Sequence, residues 1–175
     1  MRKNMNTRIS GTNVILVPYQ EKHVTKYHEW MKSPSLQYLT SSEPLTLEEE
    51  FMMQKRWLED EDNAMIGDTN LFLQNSQGLC IGEIEIMIAD EASRGKRRGW
   101  ESVILMLLYG AETLNVDKFW AKIKLDNAVS IRMFEKLGFR EVERSEVFQE
   151  VTLEKEASSD WTSWLHSELQ TVIPD

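Results

Sequence analysis

The chain has 175 residues, with 20 lysines and arginines against 29 aspartates and glutamates and a formal net charge of −9. That acidity argues against a general nucleic-acid binder, which needs a basic surface for phosphate contacts, and mildly favours a cationic partner. An apolar share of 41% with six tryptophans excludes a disordered chain, and a single cysteine, Cys80, excludes an internal disulfide. No apolar run approaches the ~18 residues of a membrane span, and the polar start MRKNMNTRIS lacks the apolar stretch of a signal peptide. The expectation is one domain over residues 1–175, cytoplasmic or nuclear, with enough chain to bury a core.

Ile9–Val17 reads as a hairpin or two short strands about a Gly-containing turn at Ser10–Asn13, and Pro18 stops it. Val24, Tyr27, Trp30 and Met31 recur at helical spacing, and Pro34 and Pro44 punctuate a loop after them. Thr46 with Glu49 three residues on predicts a capping box. The helix it opens runs from Leu47 to about Leu58 and buries Phe51, Met53 and Trp57. The acidic runs Glu48–Glu50 and Glu59–Asp62 read as helix-start and solvated charge. GDTNLFLQ is a strand and NSQG a four-residue turn. LCIGEIEIMIA is a longer strand, with Ile84, Ile86 and Ile88 on one face and Glu83, Glu85 and Met87 on the other.

The stretch SRGKRRGWES follows, placing Arg94, Lys96, Arg97 and Arg98 within five positions, the last three of them bracketed by Gly95 and Gly99. Seven apolar residues from Val103 to Tyr109 then predict a helix buried on most sides. Phe119–Ile123 is a short strand. NAVSIRMFEKLGF is a helix with Ile131, Phe134 and Leu137 inward and Gly138 at a left-handed C-terminal cap. Phe139–Val142 and Val147–Leu153 are strands. The tail, about 158–170, carries Trp161, Trp164, Leu165 and Leu169 on one stripe, which docks on the body or meets a partner. The order is βααββαβαββα, an α/β layering around one mixed sheet.

A strand, a Gly-punctuated loop and a helix start form an anion site, because first-turn N–H groups and the helix dipole converge there. Arg94, Gly95, Lys96, Arg97, Arg98, Gly99 and Trp100 are its candidate residues. A solvated basic turn fits the same pattern. The loop is neither a Walker loop nor a dinucleotide fingerprint. His23, His28 and His166 share no metal-ligand spacing, so no metal is expected.

IGEIEIMIADEASRGKRRGWES resembles motif A of the GCN5-related N-acetyltransferase (GNAT) superfamily, [Q/R]-x-x-G-x-[G/A], through Arg94, Arg97 and Gly99. NAVSIRMFEKLGF resembles its motif B, N-x-x-S-x-x-x-[Y/F]-x-K-x-G-F, at Asn127, Ser130, Phe134, Lys136, Gly138 and Phe139. VILVPYQEKHVTKYHEWMKS and SEPLTLEEE resemble the N-acetyltransferase 9 group, which extends the similarity over roughly residues 1–155. The resemblance implies a GNAT fold: a single mixed, mostly antiparallel central sheet flanked by helices. It implies acetyl-CoA as acetyl donor, with its pyrophosphate on the basic loop, and an amine acceptor of a protein or peptide, the N-terminal α-amine preferred over lysine. No nucleic acid or membrane is implied, and a homodimer stays open.

The same resemblance assigns roles. Glu83 and Glu85, on the strand that lines the family's cleft, are the candidate general bases, and their repulsion raises one pKa. A main-chain N–H near Met87 or Ile88 meets the acetyl carbonyl. Asn127 hydrogen-bonds the pantetheine, caps its helix, or both. Ser130 and Phe134 complete the cofactor set, Phe134 on the pantetheine arm or in the core. Phe134 occupies a position where many relatives offer tyrosine, and a thiol of pKa ~8.5 leaves without an acid. The chain departs from the family at two points. Arg97 replaces the first motif glycine, at a cost of order 1 kcal/mol if that position needs φ > 0. The segment Trp57–Gly67 leaves residues 63–66 as barely a stub of an early strand, whose loss sets the first strand beside the third in a parallel sense or leaves a gap. These departures carry the alternative reading, a catalytically impaired GNAT-like module that binds coenzyme A or a protein partner.

Overall fold

The computed structural model describes residues 7–54, 65–76 and 78–174. The chain opens with a two-residue ladder, β1 (Ile9–Ser10) against β2 (Ile15–Leu16), closed by Gly11 N–H donating to the Val14 carbonyl at 2.8 Å. Three helices follow: α1 (Glu21–Met31), α2 (Pro34–Leu39) and α3 (Leu47–Gln54). β3 (Gly67–Ser76) and β4 (Leu79–Ile88) form a hairpin, and a 3-10 turn at Glu91–Ser93 leads into α4 (Arg98–Leu108), which ends in a π turn over Tyr109–Thr113. β5 (Lys118–Lys124), α5 (Ala128–Lys136), β6 (Arg140–Ser145), β7 (Glu150–Glu156) and α6 (Ser159–Gln170) complete the order.

The main sheet runs β3-β4-β5-β7-β6. All its pairs are antiparallel except β4 with β5, which is parallel. This is the mixed, mostly antiparallel sheet that the family resemblance implies. Strand alternation divides β4 between two layers. Ile84 joins a large core with Val103, Ile104 and Leu107 of α4, Phe119 of β5 and Leu165 of α6. Met87, on the opposite face, joins a smaller core with Met31 of α1 and Leu36 of α2, against which Tyr27 and Trp30 pack. The tryptophan stripe of α6 docks on the body: Trp161 lies between Phe119 and Phe139 and donates its indole N–H to the Leu137 carbonyl at 2.9 Å.

Several expectations change. Pro34 does not punctuate a loop. It stands at the first position of α2, where its missing N–H costs nothing and Ser33 caps the turn. The expected four-residue turn NSQG tightens, since Ser76 pairs with Leu79 and Gly78 takes φ 83°. β6 and β7 each lie further along the chain than expected, so Val147 and Phe148 are exposed on the turn between them. The Thr46–Glu49 capping box forms as predicted. Met53 and Trp57, expected to be buried by the same helix, lie outside the described side chains. Among the described residues β2 pairs with β1 alone and β3 ends the strand order of the main sheet, so the first strand does not reach the third.

Candidate active site

β4 and β5 pair over three positions only, Ile81 with Lys118, Gly82 with Phe119 and Glu83 with Trp120. Beyond Glu83 the two strands part, while β4 keeps its ladder with β3 as far as Ile88. The Thr69 hydroxyl donates to the Glu85 carbonyl at 2.7 Å, and the Met87 carbonyl lies against Gly67, so these main-chain groups face β3. Alternation turns those of Ile86 and Ile88 toward the opening. Of the two residues expected to offer a main-chain donor, Ile88 is the one aimed at the cleft; Met87 bonds to β3 and buries its side chain among α1 and α2.

The basic loop sits at the open end of β4. Arg94 is spent on it: Nε donates to the Ile88 carbonyl at 2.8 Å and Nη2 to the Ala89 carbonyl at 3.1 Å. Arg98 Nη1 donates to the buried Ser93 hydroxyl at 2.8 Å. These two arginines shape the turn, a task invisible in a charge count. Gly95 takes φ 74° and a side chain there would meet nothing. Arg97 takes φ 58° and ψ 6°, a left-handed conformation at the N-cap of α4, with no side-chain cap on the first turn. Its guanidinium lies 5.8 Å from the Trp100 ring centre and 3.8 Å from Glu168. Lys96 is exposed. Gly99 brings the helix start to the end of β4, where an added Cβ would lie 3.4 Å from Ile88. The first turn of α4, with the N–H groups of Gly99 and Trp100, therefore has no side-chain cap and stands beside a left-handed turn and a cation, a donor set suited to a diphosphate.

The two glutamates have separate fates. Glu83 is engaged by Lys122 of β5, Nζ to Oε2 at 2.7 Å. Glu85 opens to solvent, and its pKa is raised above the ordinary carboxylate range, first by desolvation and then by Glu83, with Lys122 opposing. Asn127 caps α5, accepting from Ser130 N–H at 3.2 Å, which is its local role realised. Phe134 is 2% exposed and meets Phe139 edge-on at 5.0 Å, so its ring belongs to the core rather than to a ligand channel. Lys122 was missed by sequence reasoning, because only the parallel register brings it to Glu83. Glu50 was misassigned: it is 1% exposed, not solvated. Among the described residues no cluster of three or more His, Cys, Asp and Glu is placed to hold a metal ion.

Residues 13–140 match the family described as acetyltransferase (GNAT) domain. The chain belongs to the GNAT acetyltransferase family. It is 49% identical over 187 aligned positions to alpha/beta-tubulin-N-acetyltransferase 9 of Homo sapiens, covering 94% of this chain and 90% of that protein. It is 45% identical to the protein of the same description in Drosophila melanogaster, over 97% of this chain and 96% of that protein. The 187 aligned positions exceed the 175 residues of this GNAT chain, so the human relative carries residues opposite gaps here. Spermidine N-acetyltransferase from Vibrio cholerae, solved in complex with CoA and spermine, shares the fold at TM-score 0.68 and 17% identity, over 79% of this chain and 92% of that one. This GNAT chain is an acetyltransferase.

Proposed function

We propose that the chain transfers an acetyl group from acetyl-CoA to an amine of a protein or peptide, with the N-terminal α-amine preferred over lysine. The observation that supports this best is the parting of β4 and β5 after Glu83 and Trp120, directly beside the uncapped first turn of α4. The residues present suit the donor: Gly99 and Trp100 N–H groups with Lys96 and Arg97 hold the diphosphate, and Gly95 and Gly99 let it come close. Bound there, acetyl-CoA supplies an activated thioester carbonyl. Main-chain N–H groups of Ile86 and Ile88 orient and polarise that carbonyl, worth about 2.7–4 kcal/mol per donor in comparable sites. Glu85 Oε takes the ammonium proton directly or through water, and its raised pKa suits a base that must later release it. Glu83, tied to Lys122, holds the strand face in place.

An α-amine of pKa ~8 is partly neutral at pH 7, whereas lysine at ~10.4 is not, so one modest base suffices for the former. The tubulin acetyltransferase description of the relatives supports a protein acceptor. Isothermal titration with acetyl-CoA, followed by mass-spectrometric transfer assays on α-amine and lysine peptides, tests the reading. Micromolar binding with α-amine acetylation is expected. Absence of binding overturns the donor assignment. Binding without turnover favours the second reading, a coenzyme A-binding module, for which the strained Arg97 speaks.

A further inference from the structure

Arg94 and Arg98 are bound into the turn, which leaves Lys96 and Arg97 as the cations the loop offers to a donor. The acids around the loop are placed just as selectively. Asp90 accepts from the Ser93 hydroxyl. Glu91 lies 3.6 Å from the committed Arg94. Glu101, 1% exposed, accepts from the main-chain N–H groups of Thr12 and Asn13. Glu168 of α6 is different. Its Oε2 stands 3.8 Å from Nη2 of Arg97, one of the two cations that face the donor.

The two partners are held unequally. α6 is packed on the body by Leu165 and Trp161, 0% and 6% exposed, and Thr171 N–H closes its last turn on the Glu168 carbonyl at 3.1 Å. The Glu168 side chain is 25% exposed, that of Arg97 56%. The carboxylate is therefore the fixed member, and the guanidinium has room to swing. Arg97 takes φ 58° at the N-cap of α4, and its guanidinium lies 5.8 Å from the Trp100 ring centre, between the first turn of α4 and α6. The first turn begins at the next residue, so a diphosphate held there meets the same guanidinium. A guanidinium that turns its fork to a phosphate leaves its carboxylate, and that carboxylate then repels the incoming anion. An exposed pair at 3.8 Å adds little to folding, so its consequence falls on the donor.

We propose that Glu168 competes with the donor's diphosphate for Arg97 and so loosens the hold on the coenzyme. This rests on the donor reading above. Spent coenzyme A carries the same diphosphate as acetyl-CoA, so the competition also speeds its release after transfer.

Isothermal titration of the full chain with coenzyme A, which binds without turnover, tests this in a double-mutant cycle. Glu168→Gln tightens binding about three- to tenfold, through one ion pair released and one repelling charge removed. In the Arg97→Gln background the same substitution changes affinity by less than about twofold. Dephospho-coenzyme A, which keeps the diphosphate and lacks the 3′-phosphate, shows the same gain. Stopped-flow displacement shows release slowed by a similar factor. Glu168→Ala repeats the gain where glutamine itself would bond to Arg97. Unchanged or weaker binding in both Glu168 variants overturns the competition, and so does an equal gain with and without Arg97, which reports net charge alone. A gain lost with dephospho-coenzyme A overturns the diphosphate as the rival anion. The two claims fail separately: coenzyme A bound alike by parent and variants overturns the competition alone, whereas no binding by any of them overturns the donor assignment and the competition with it.

Discussion

Glu85 is the residue on which turnover is expected to depend. Glu85→Gln lowers kcat by about 10²–10⁴. Because desolvation raises its pKa, the acidic limb of the kcat/KM profile lies above the ordinary glutamate range, and that limb disappears in the variant. Arg97 carries a different prediction. A left-handed arginine costs about 1 kcal/mol that glycine does not, and its side chain is exposed, so its contacts with the Trp100 ring and Glu168 are weak. Arg97→Gly therefore raises Tm by a few degrees while titration still detects acetyl-CoA. Asp68 gives the third. Its pKa rises from 3.8 to about 6, chiefly by desolvation and then by Glu85. Folding thus takes up a proton between those values, and the ionised group destabilises the fold above pH 6 by about 1–3 kcal/mol. Asp68→Asn is then more stable than the parent at pH 7.5, and the difference disappears as the pH falls below the ordinary value of 3.8, as paired thermal melts would show. The sequence exposed Glu83 and Glu85 through alternation. It hid Asp68 and Glu50, because an acidic residue at a strand start or in a helical run reads as solvated until another element covers it.

At the scale of elements, α4 is the piece that must be placed correctly, and a buried carboxylate places it. Glu101, in its first turn, accepts from Thr12 N–H and from Asn13 N–H at 3.1 Å, tying the β1–β2 turn to the helix start. Glu101→Ala leaves those N–H groups unmet, costs about 1–3 kcal/mol, and weakens acetyl-CoA binding together with Tm. Three helix ends were legible: Thr46, Asn127 and Gly138 act where their types predict. α2 was not, since proline signals both an interruption and a first turn, and the Ser33 cap decides between them only once the chain has turned. β7 was displaced because Val147 and Phe148 look like strand interior, yet the bulged register at Glu141 and Glu143 leaves them on an exposed turn.

For the molecule as a whole, the net charge of −9 sets two encounters against each other. An anionic donor approaches a repulsive body and is drawn only by the local cations of the α4 loop, while a basic acceptor is drawn from afar. Raising salt therefore slows association of basic peptides more than that of acetyl-CoA, a contrast stopped-flow mixing would resolve. The overall layering was legible because the apolar rows of β4 and α4 admit one arrangement. The parting of β4 from β5 was not, because no residue pattern announces where a parallel pair stops. The Asn13 amide donates to the Ile173 carbonyl at 2.8 Å, 160 residues away in sequence, while its own main chain is held by Glu101. The segment that follows α6 thus fastens, from the far end of the chain, the same turn that Glu101 anchors to the entrance of α4.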